Sequence, residues 1–505
     1  MPAPDPHALR PPLATRALLA LAALKVLLHA SVLTRYGWFR DELYYVVCAD
    51  HPAAGYVDHP PLSIWLLAAW RALAGDSLAA VRLPAVLAGA AAVFMAGVLA
   101  RELYGGRYSQ ALAALAALSA PMFLAVGHFY SMNAWEPLLW SLAAWLTLRA
   151  LGGGGPRAWL LLGLVLGLAI LNKLSALWLV AGLGVGLVAS PHRDVLRTRW
   201  PWLALAIAAL VAAPHLAWQV ANGWPTAEFM ANAAGRKMVA TGFTGFWAQQ
   251  GLAMNPVLLP LWLAGLAWLV WGRHDPRGRV LGVAWLVVAA ILLAAGRSRP
   301  NYLAPAYLPL FAAGAVLLEA ALDRPGWRHF RSTAMAVIVG GGMIAAPLAM
   351  PLLPVERLVE YMARLGMTPR AEERSGVAEL PQHFADQHGW PALVDEVLRV
   401  VATLPPEERG KAVVFTQNYG EAGALTVLGR GRGVPPVISG HNNFWLWGPG
   451  PADATVVIIV GGDEADHRRA LEQVERAGTW RAPWVMPYER NLPIYVGRGL
   501  KAPLS

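Results

Sequence analysis

Residues 80–100, AVRLPAVLAGAAAVFMAGVLA, form an apolar run that contains a single charged residue, Arg82. About 20 such residues in a helix cross the hydrocarbon core of a bilayer. The whole chain shares this character, since only 14% of its 505 residues are charged, 57% are hydrophobic and the mean hydropathy is +0.44. A soluble domain has roughly 25% charged residues. The composition therefore predicts a membrane protein and excludes a cytosolic enzyme.

Ten more apolar segments accompany this run. The first follows a basic, proline-rich N-terminus and lacks a small-residue cleavage site before Tyr36, so it is predicted to be an uncleaved span. Fifteen lysines and arginines lie in the loops on the same side as the N-terminus, and nine lie in the loops on the other side. Because basic residues are enriched in cytoplasmic loops, the N-terminus is predicted to be cytoplasmic. An odd number of spans then places the C-terminus outside. The eleven predicted spans lie at about 17–34, 80–100, 108–127, 137–150, 158–171, 174–190, 200–218, 254–271, 280–296, 302–320 and 332–353.

The net charge of +10 is unevenly distributed along the chain. Residues 1–354 carry 25 Lys and Arg against 13 Asp and Glu, whereas residues 355–505 carry 16 against 18. The basic excess therefore belongs to the membrane part, where it sets orientation, and nucleic-acid binding loses its main support. The single cysteine, Cys48, excludes an internal disulfide.

From residue 355 the composition becomes that of a soluble domain. Short β-rich runs at Ala412 to Thr416, Val434 to Ser439 and Thr455 to Gly461 alternate with helix-like stretches at Trp390 to Leu404 and Ala465 to Ala477. This alternation is typical of a small α/β domain.

Two domains are therefore predicted. The first, residues 1–354, is a mainly α, polytopic membrane domain with outward loops at 35–80, 128–136, 219–253 and 297–301. The second, residues 355–505, is a soluble α/β domain on the periplasmic or extracellular side. Seven of the 13 acids of the membrane part fall on the predicted outer side: Asp41, Glu42, Asp50, Asp58, Asp76, Glu136 and Glu228.

The first outward loop carries the densest polar cluster. Asp41 and Glu42 stand between Arg40 and Tyr45, and Asp58-His59 is followed by two prolines that fix the backbone. Adjacent carboxylates can supply a general base or coordinate a cation. A solvated loop with ordinary caps explains the same residues equally well. The apolar stretch Leu62 to Leu73 is too short to span and is predicted to lie along the outer membrane face.

A second set of polar residues stands at the outer ends of later spans. Glu136 precedes a proline where the fourth span begins, and acids at a membrane edge are candidates for function. Lys173, Arg299 and Tyr302 lie at the same level, where basic groups can hold a lipid phosphate or anchor a helix end. Arg236 and Lys237, in the loop 219–253, allow the same two interpretations.

Nucleotide-binding signatures are absent from the sequence. It contains no Walker A loop and no GxGxxG that leads into a helix, and HExxH and GxSxG are missing as well. A nucleotide-driven pump is therefore disfavoured.

The pairs Asp41-Glu42 and Glu136-Pro137 and the box Asp58-His59-Pro60-Pro61 resemble the GT-C membrane glycosyltransferases. The resemblance is closer to the bacterial relatives of dolichyl-phosphate-mannose protein mannosyltransferases, which include the lipid A aminoarabinose transferase. It covers the order of elements across the membrane part, including a basic-then-Tyr element at Arg299 to Pro305. Two runs of the C-terminal domain, TQNYGEAG at 416–423 and SGHNN at 439–443, resemble the external domain of many bacterial members.

The resemblance implies roles for individual residues. The catalytic carboxylate of the first loop corresponds to Asp41, with Glu42 beside it. The acidic-basic-Pro-Pro box corresponds to Asp58 and His59, although some members carry Lys in place of His59. The second acid corresponds to Glu136, where many members carry Asp.

Further roles concern the donor. The resemblance implies a polyprenyl-phosphate-linked sugar donor, a phosphate site at Arg236 or Lys237, and a role for Tyr302 before the late span. Substrate contacts are predicted to include Tyr45, Lys173 and Arg299 as well. No organic cofactor is predicted, and a divalent metal ion could bind among Asp41, Asp58, His59 and Glu136.

The predicted activity is an inverting glycosyl transfer at the outer face of the bacterial inner membrane. Catalysis is assigned to Asp41, Glu42 and Glu136, and the acceptor hydroxyl belongs to lipid A, an envelope glycan or a protein. A transporter or flippase of a lipid-linked sugar is the main alternative. It would use the same basic groups, although the sequence has no internal repeat of the kind that transporters often show. A third hypothesis makes the C-terminal domain a glycan- or protein-binding module.

Overall fold

The computed structural model describes residues 10–233, 235, 238–272, 275–369 and 376–501. The membrane part is helical throughout these ranges, with short 3₁₀ turns between some helices. Its helices are α1 (Thr15–Ala30), α2 (Arg40–Asp50), α3 (Leu62–Ala74), α4 (Leu78–Glu102), α5 (Arg107–Ser119), α6 (Pro121–Val126), α7 (Met132–Leu151), α8 (Gly155–Asn172), α9 (Ala176–Ala189), α10 (Trp200–Ala221), α11 (Pro225–Asn232), α12 (Phe243–Ala253), α13 (Leu259–Trp271), α14 (Gly278–Ala295), α15 (Leu308–Leu322) and α16 (Phe330–Ala349).

Every predicted span falls on one or more of these helices. By length and composition, six helices of the described chain could each cross a membrane, and a seventh crossing arises if the bent pair of α12 and the segment Pro256–Trp271 counts as one. The protein is therefore a multi-pass membrane protein, and the count of eleven stays a prediction. The predicted short helix in the first loop is confirmed as α3, which begins directly after the two prolines, and its position along the outer membrane face stays a prediction.

Prolines explain where the helices depart from the predicted spans. The predicted span 108–127 is interrupted at Ala120, because Pro121 starts α6 and lacks the amide proton needed to continue α5. The predicted span 254–271 is preceded by α12, which meets the following helical segment at a bend of 98°. Asn255 and Pro256 stand at this bend.

Small residues let the long helices approach each other closely. A Cβ atom added to Gly163 of α8 would lie 2.8 Å from the Cα of Ala204 of α10, and one added to Gly182 of α9 would lie 3.0 Å from the Cα of Ala284 of α14. Contacts of this kind hold membrane helices together by van der Waals packing. They form the bundle on which the outward loops rest.

The C-terminal domain combines helices with a five-stranded sheet of order β2-β1-β3-β5-β4. The strands β1, β2 and β3 pair in parallel, and β5 pairs antiparallel with both β3 and β4. The elements are α17 (Val355–Arg364), α18 (Gln382–Ala385), α19 (Trp390–Thr403), α20 (Pro406–Arg409), β1 (Ala412–Thr416), α21 (Tyr419–Leu428), β2 (Val437–Ser439), α22 (Asn443–Leu446), β3 (Val456–Val460), α23 (Glu464–Ala470), β4 (Leu471–Trp480) and β5 (Leu492–Leu500).

The predicted helix from Ala465 to Ala477 is wrong over its second half. The helix α23 ends at Ala470, and β4 begins at the next residue. The segment is rich in Glu, Gln and Arg, which favour helix. It is a strand because it pairs along β5 and places Leu471 and Val474 in the domain core, so tertiary packing overrides local propensity.

The C-terminal domain rests on the first outward loop through α2. Leu43 of α2 is fully buried in the hydrophobic core of the domain, together with Trp390 and Val414. Gly423 of α21 lies against the α2 backbone, where an added Cβ atom would be 3.0 Å from the nitrogen of Tyr44. The first outward loop and the C-terminal domain therefore share one packed interface.

Candidate active site

The helix α2 carries the first acidic pair at its N-terminal turn. Its cap is formed by Glu42, whose Oε2 accepts the amide proton of Phe39 at 2.9 Å. Asp41 and Glu42 lie in the first turn, where the helix dipole favours negative charge. The two carboxylates follow each other in sequence but meet different surroundings.

Asp41 is fixed by a hydrogen bond and remains partly exposed to solvent. Its side chain is 30% exposed, and its Oδ1 accepts a hydrogen bond of 2.7 Å from the hydroxyl of Tyr419 in the C-terminal domain. The Nε atom of Arg40 lies 3.9 Å from the same oxygen. The Arg40 guanidinium also contacts Asp386 at 3.4 Å and donates to the hydroxyl of Tyr488 at 2.6 Å. Asp41 is thus fixed at one oxygen and open to a ligand.

The side chain of Glu42, unlike that of Asp41, is closed to solvent. Its side chain is fully buried and forms an ion pair with the fully buried Arg82 at 2.9 Å. Its Oε1 also accepts the amide proton of Tyr130 at 2.9 Å. The Arg82 guanidinium donates to the carbonyls of Leu33 and Gly37 at 2.7 and 2.6 Å. This network argues against the predicted catalytic role of Glu42, and we assign it a structural role.

Asp58 lies beneath α2 and is largely buried. Its Oδ1 accepts a hydrogen bond of 2.9 Å from the hydroxyl of Tyr44, and the Nε2 atom of His59 lies 3.9 Å away. Burial raises the pKa of Asp58, although His59 and the Tyr44 hydroxyl act in the opposite direction. Asp41 contributes to the upward shift, which places the two carboxylates within electrostatic reach of each other.

His59 and Tyr45 are interior residues of this loop. His59 is fully buried and Tyr45 is 3% exposed, and their rings lie with centroids 4.6 Å apart. The Nδ1 atom of His59 lies 3.0 Å from the carbonyl of Pro60. Both side chains pack around Asp58 and α2, and the substrate contacts predicted for them stay a prediction.

A second cluster forms where α7, α8 and α9 meet. Glu136 of α7 is 2% exposed and accepts a hydrogen bond from the hydroxyl of Ser175. Lys173, at the end of α8, donates to Glu136 at 2.8 Å and to the side-chain oxygen of Asn133 at 2.7 Å. The Lys173 ammonium also lies over the ring of Tyr302, 5.0 Å from its centroid. Three residues predicted separately, Glu136, Lys173 and Tyr302, therefore form one cluster.

Tyr130, just before α7, and Met132, its first residue, connect the Asp41 site around α2 with the Glu136 cluster. The amide of Met132 donates to the hydroxyl of Tyr45 at 3.4 Å, and the hydroxyl of Tyr130 donates to the carbonyl of Ser63 in α3 at 2.5 Å. Both contacts join the outward loop 128–136 to the loop 35–80. Glu136 stands one turn after Met132 on α7.

Other predicted residues have different outcomes. Arg236 and Lys237 lie outside the described residues. Arg299 is half-buried and immediately precedes the 3₁₀ turn Pro300–Tyr302. The four candidate metal ligands divide between two places, since Asp41, Asp58 and His59 lie around α2 and Glu136 pairs with Lys173. Among the described ranges, no group of three or more His, Cys, Asp or Glu side chains could hold a metal ion.

Several residues of the site were not predicted from the sequence. In the sequence, Tyr419 is only part of a run that resembles the external domain of the family, and Arg82 is only the single charged residue of the run 80–100. Asn133 and Ser175, which hold the Glu136 cluster, carried no signal of their own. The positions of Tyr419 in the TQNYGEAG run and of Ser175 two residues after Lys173 are the only sequence hints.

Comparisons with known proteins agree with this architecture. Residues 58–218 match the family described as dolichyl-phosphate-mannose-protein mannosyltransferase. The chain is 26% identical to the undecaprenyl phosphate-alpha-4-amino-4-deoxy-L-arabinose arabinosyl transferase of Pseudomonas paraeruginosa, over 58% of this chain and 54% of that protein. It is 27% identical to the lipid A galacturonosyltransferase RgtD of Rhizobium johnstonii, over 51% of this chain and 54% of that protein. The chain thus spans about half the length of the curated relatives it matches.

Solved structures show the same fold. The crystal structure of ArnT from Cupriavidus metallidurans bound to undecaprenyl phosphate has a TM-score of 0.60 at 16% identity, and the match covers 95% of this chain and 97% of that one. The cryo-EM structure of the mycobacterial arabinofuranosyltransferase AftD has a TM-score of 0.54 at 16% identity and covers 98% of this chain and 40% of that one. The fold is therefore ArnT-like, and the predicted resemblance to GT-C glycosyltransferases is confirmed.

Proposed function

We propose that this protein is an inverting glycosyltransferase that moves a sugar from a polyprenyl-phosphate-linked donor to a hydroxyl acceptor. The reaction takes place at the outer face of the bacterial inner membrane. The named relatives are transferases, and one of them is described as acting on an undecaprenyl-phosphate-linked amino sugar. The bound undecaprenyl phosphate in the ArnT structure supports a lipid-phosphate site in a protein of this fold.

The contrast between Asp41 and Glu42 carries the proposal. Both acids stand at the start of α2, but Glu42 is neutralised by a fully buried arginine, whereas the Asp41 side chain is 30% exposed. A general base must reach the proton that it removes, at about 2.6–3.2 Å between heavy atoms. Asp41 is the member of the pair that meets this requirement. It would accept the proton of the acceptor hydroxyl while that oxygen attacks the anomeric carbon.

The departing group is an already stable anion. As the acceptor oxygen bonds to the anomeric carbon, the bond between that carbon and the phosphate oxygen breaks, and its electron pair stays on the polyprenyl phosphate. Basic groups that meet the growing charge lower the barrier. The candidates are Arg299, Lys173 with Tyr302 beneath it, and Arg236 and Lys237 of the loop 219–253. His59 is a further candidate, and it is fully buried in this arrangement.

The second cluster provides polar groups with fixed positions. Glu136, Lys173 and Asn133 hold each other through bonds of 2.7 and 2.8 Å. Such a pre-organised set can orient sugar hydroxyls or the acceptor near the donor phosphate without further ordering cost. We therefore propose that Glu136 contributes to catalysis by orienting the substrate.

A reconstituted assay tests the proposal. The full chain in proteoliposomes would be supplied with polyprenyl-phosphate sugars and with envelope lipids, glycans or proteins as acceptors. We expect free polyprenyl phosphate and a product of opposite anomeric configuration. Asp41→Asn should reduce turnover about 10²- to 10⁴-fold, the usual contribution of a general base.

Asp76→Asn is the matched control. Asp76 belongs to the same outward loop, is 51% exposed and pairs with Arg71 at 2.6 Å, so its loss should change turnover less than about twofold, as expected for an exposed ion pair. Near-normal transfer by a folded Asp41→Asn protein would remove Asp41 from its role. Movement of unaltered donor across the bilayer, with no product formed, would show that the protein is a transporter.

A further inference from the structure

We propose that Tyr419 of the C-terminal domain is a positioning residue for Asp41, so that this domain completes the site of transfer. The inference rests on the proposed function, because that function gives Asp41 its chemical role. It assigns the C-terminal domain a part in the reaction that differs from a separate glycan- or protein-binding module.

The direct observation is one hydrogen bond across the domain interface. The Tyr419 hydroxyl donates to Oδ1 of Asp41 at 2.7 Å, and the two residues are 378 positions apart in sequence. Tyr419 is 8% exposed. Burial raises the pKa of Tyr419 well above its ordinary value, so the phenol keeps its proton and acts as a donor at any physiological pH.

The ring of Tyr419 is held from several sides. Its centroid lies 5.0 Å from that of Tyr44 and 5.2 Å from that of His441. The Arg40 guanidinium lies over the ring, 5.3 Å from the centroid. Contacts with an aromatic face and with a cation restrict the ring to one orientation. The hydroxyl is therefore aimed at Asp41 by packing.

The backbone that carries Tyr419 is also fixed. Tyr419 is the first residue of α21, and the side chain of Asn418 caps this helix by accepting the amide protons of Gly420 and Glu421 at 2.9 and 3.0 Å. Glu421 accepts in turn from the amide of Gln417 at 3.0 Å. A cap of this type stabilises a helix terminus. The residue therefore stands on a defined helix end.

Two glycines set the distance between α21 and α2. A Cβ atom on Gly423 would lie 3.0 Å from the nitrogen of Tyr44 and 3.1 Å from the carbonyl carbon of Leu43. Gly420, one turn earlier, faces the side chain of Arg40 in the same way. A methyl group at either position would force its neighbours to shift. Tyr419 reaches Asp41 because the two helices pack so closely.

The uncharged hydroxyl of Tyr419 is compatible with the proposed role of Asp41 as a general base. A cation in contact with Asp41 would neutralise the carboxylate, whereas a phenol orients it and leaves its charge. A hydrogen bond to a charged group is worth about 1.5–3 kcal/mol, which corresponds to a change in rate of about 10- to 150-fold. We expect Tyr419→Phe to lower kcat by this factor and to leave the KM values for donor and acceptor within about twofold.

The first experiment is a double-mutant cycle on the full chain in proteoliposomes. Tyr419→Phe is compared with Tyr495→Phe, which removes a hydroxyl from a buried tyrosine on the other face of the sheet, and both are combined with Asp41→Asn. Tyr495→Phe should keep wild-type turnover. In the Asp41→Asn protein, Tyr419→Phe should cause no further loss. An equal loss in both backgrounds would mean that Tyr419 acts through the fold and would overturn the proposal.

The second experiment separates the two helices without touching the hydroxyl. Gly423→Ala places a methyl group against the α2 backbone, and Gly410→Ala is the matched control because an added Cβ atom there meets no atom within 4 Å. We expect Gly423→Ala to lower kcat in the same direction as Tyr419→Phe, with Gly410→Ala unchanged. Wild-type kcat in the folded Gly423→Ala protein would contradict the proposed geometry.

The outcomes for the two proposals differ. If Asp41→Asn retains normal turnover, the base assignment in the proposed function fails, whatever Tyr419→Phe does. If Asp41→Asn is inactive and Tyr419→Phe has wild-type kcat, only the role of Tyr419 fails.

Discussion

The ion pair between Glu42 and Arg82 allows a direct test of whether Glu42 has a structural role and Asp41 the proposed catalytic role. Both side chains are fully buried and lie 2.9 Å apart. Glu42→Gln keeps the size of the side chain but leaves the guanidinium without its counter-charge. We expect the variant to lose stability, because Arg82 keeps its charge in a site closed to water.

The magnitude follows from the contacts that are lost. Removal of one member of a buried ion pair costs roughly 3–5 kcal/mol, because the other charge stays buried and uncompensated. The carbonyls of Leu33 and Gly37 still accept from Arg82, which places the expected cost toward the lower end. Replacement of both residues, as in Glu42→Leu with Arg82→Met, should recover most of the loss, since an apolar pair of similar volume avoids the buried charge.

Thermal unfolding of the purified protein in nanodiscs measures this effect, with turnover recorded on the same samples. Glu42→Gln should unfold at a clearly lower temperature and keep its turnover per folded molecule within about tenfold. Asp41→Asn should show the reverse pattern, with near wild-type unfolding and a loss of about 10²- to 10⁴-fold in turnover. A Glu42→Gln protein with wild-type stability and a hundredfold loss of turnover would refute the structural assignment of Glu42.

Two further predictions concern the second cluster and the C-terminal domain. Tyr302→Leu removes the ring beneath the Lys173 ammonium. It should raise the KM for the donor about 2- to 30-fold, the range expected for loss of a cation–π contact. Tyr302→Phe keeps the ring and should show a normal KM for the donor in the same assay. Burial raises the pKa of Glu421 from 4.5 to about 7. Between these pH values the Glu421 carboxyl is protonated in the folded domain and ionised in the unfolded chain. The free energy of unfolding should therefore fall as the pH rises between about 5 and 7. Thermal unfolding followed by tryptophan fluorescence should show this slope, which Glu421→Gln should flatten and the exposed Glu464→Gln should leave unchanged.

The sequence predicts the helices well because each apolar run meets a single physical demand, the burial of a continuous backbone in lipid. The run at 80–100 lies within α4, and the stretch that begins at Leu62 is the short helix α3. Predictions fail where a distant partner decides the outcome. The run at 465–477 has helical composition, yet the pairing with β5 makes its second half a strand.

The sequence points to the acidic residues of the candidate site but not to the partners that surround them. Asp41 and Glu42 have the same local sequence, and Arg82, which distinguishes them, is 40 positions away. The sequence assigns Glu136 to catalysis and Lys173 to substrate contact separately, and their ion pair is visible only after α7 and α8 are packed. Long-range contacts of this kind leave no periodic trace in a single sequence.

A base beside a membrane has to satisfy two opposed conditions. It must be fixed, so that its oxygen meets the acceptor at a set distance, and it must stay charged and reachable, so that it can take a proton. A buried ion pair satisfies the first condition and violates the second. The start of α2 separates the two conditions between neighbouring residues, since Glu42 with Arg82 anchors the helix, and Asp41 accepts a hydrogen bond from an uncharged phenol. Arg40 stands 3.9 Å away and is shared with Asp386 and Tyr488. The position of Asp41, the proposed base, is therefore set by the rigidity of its neighbour and by the C-terminal domain.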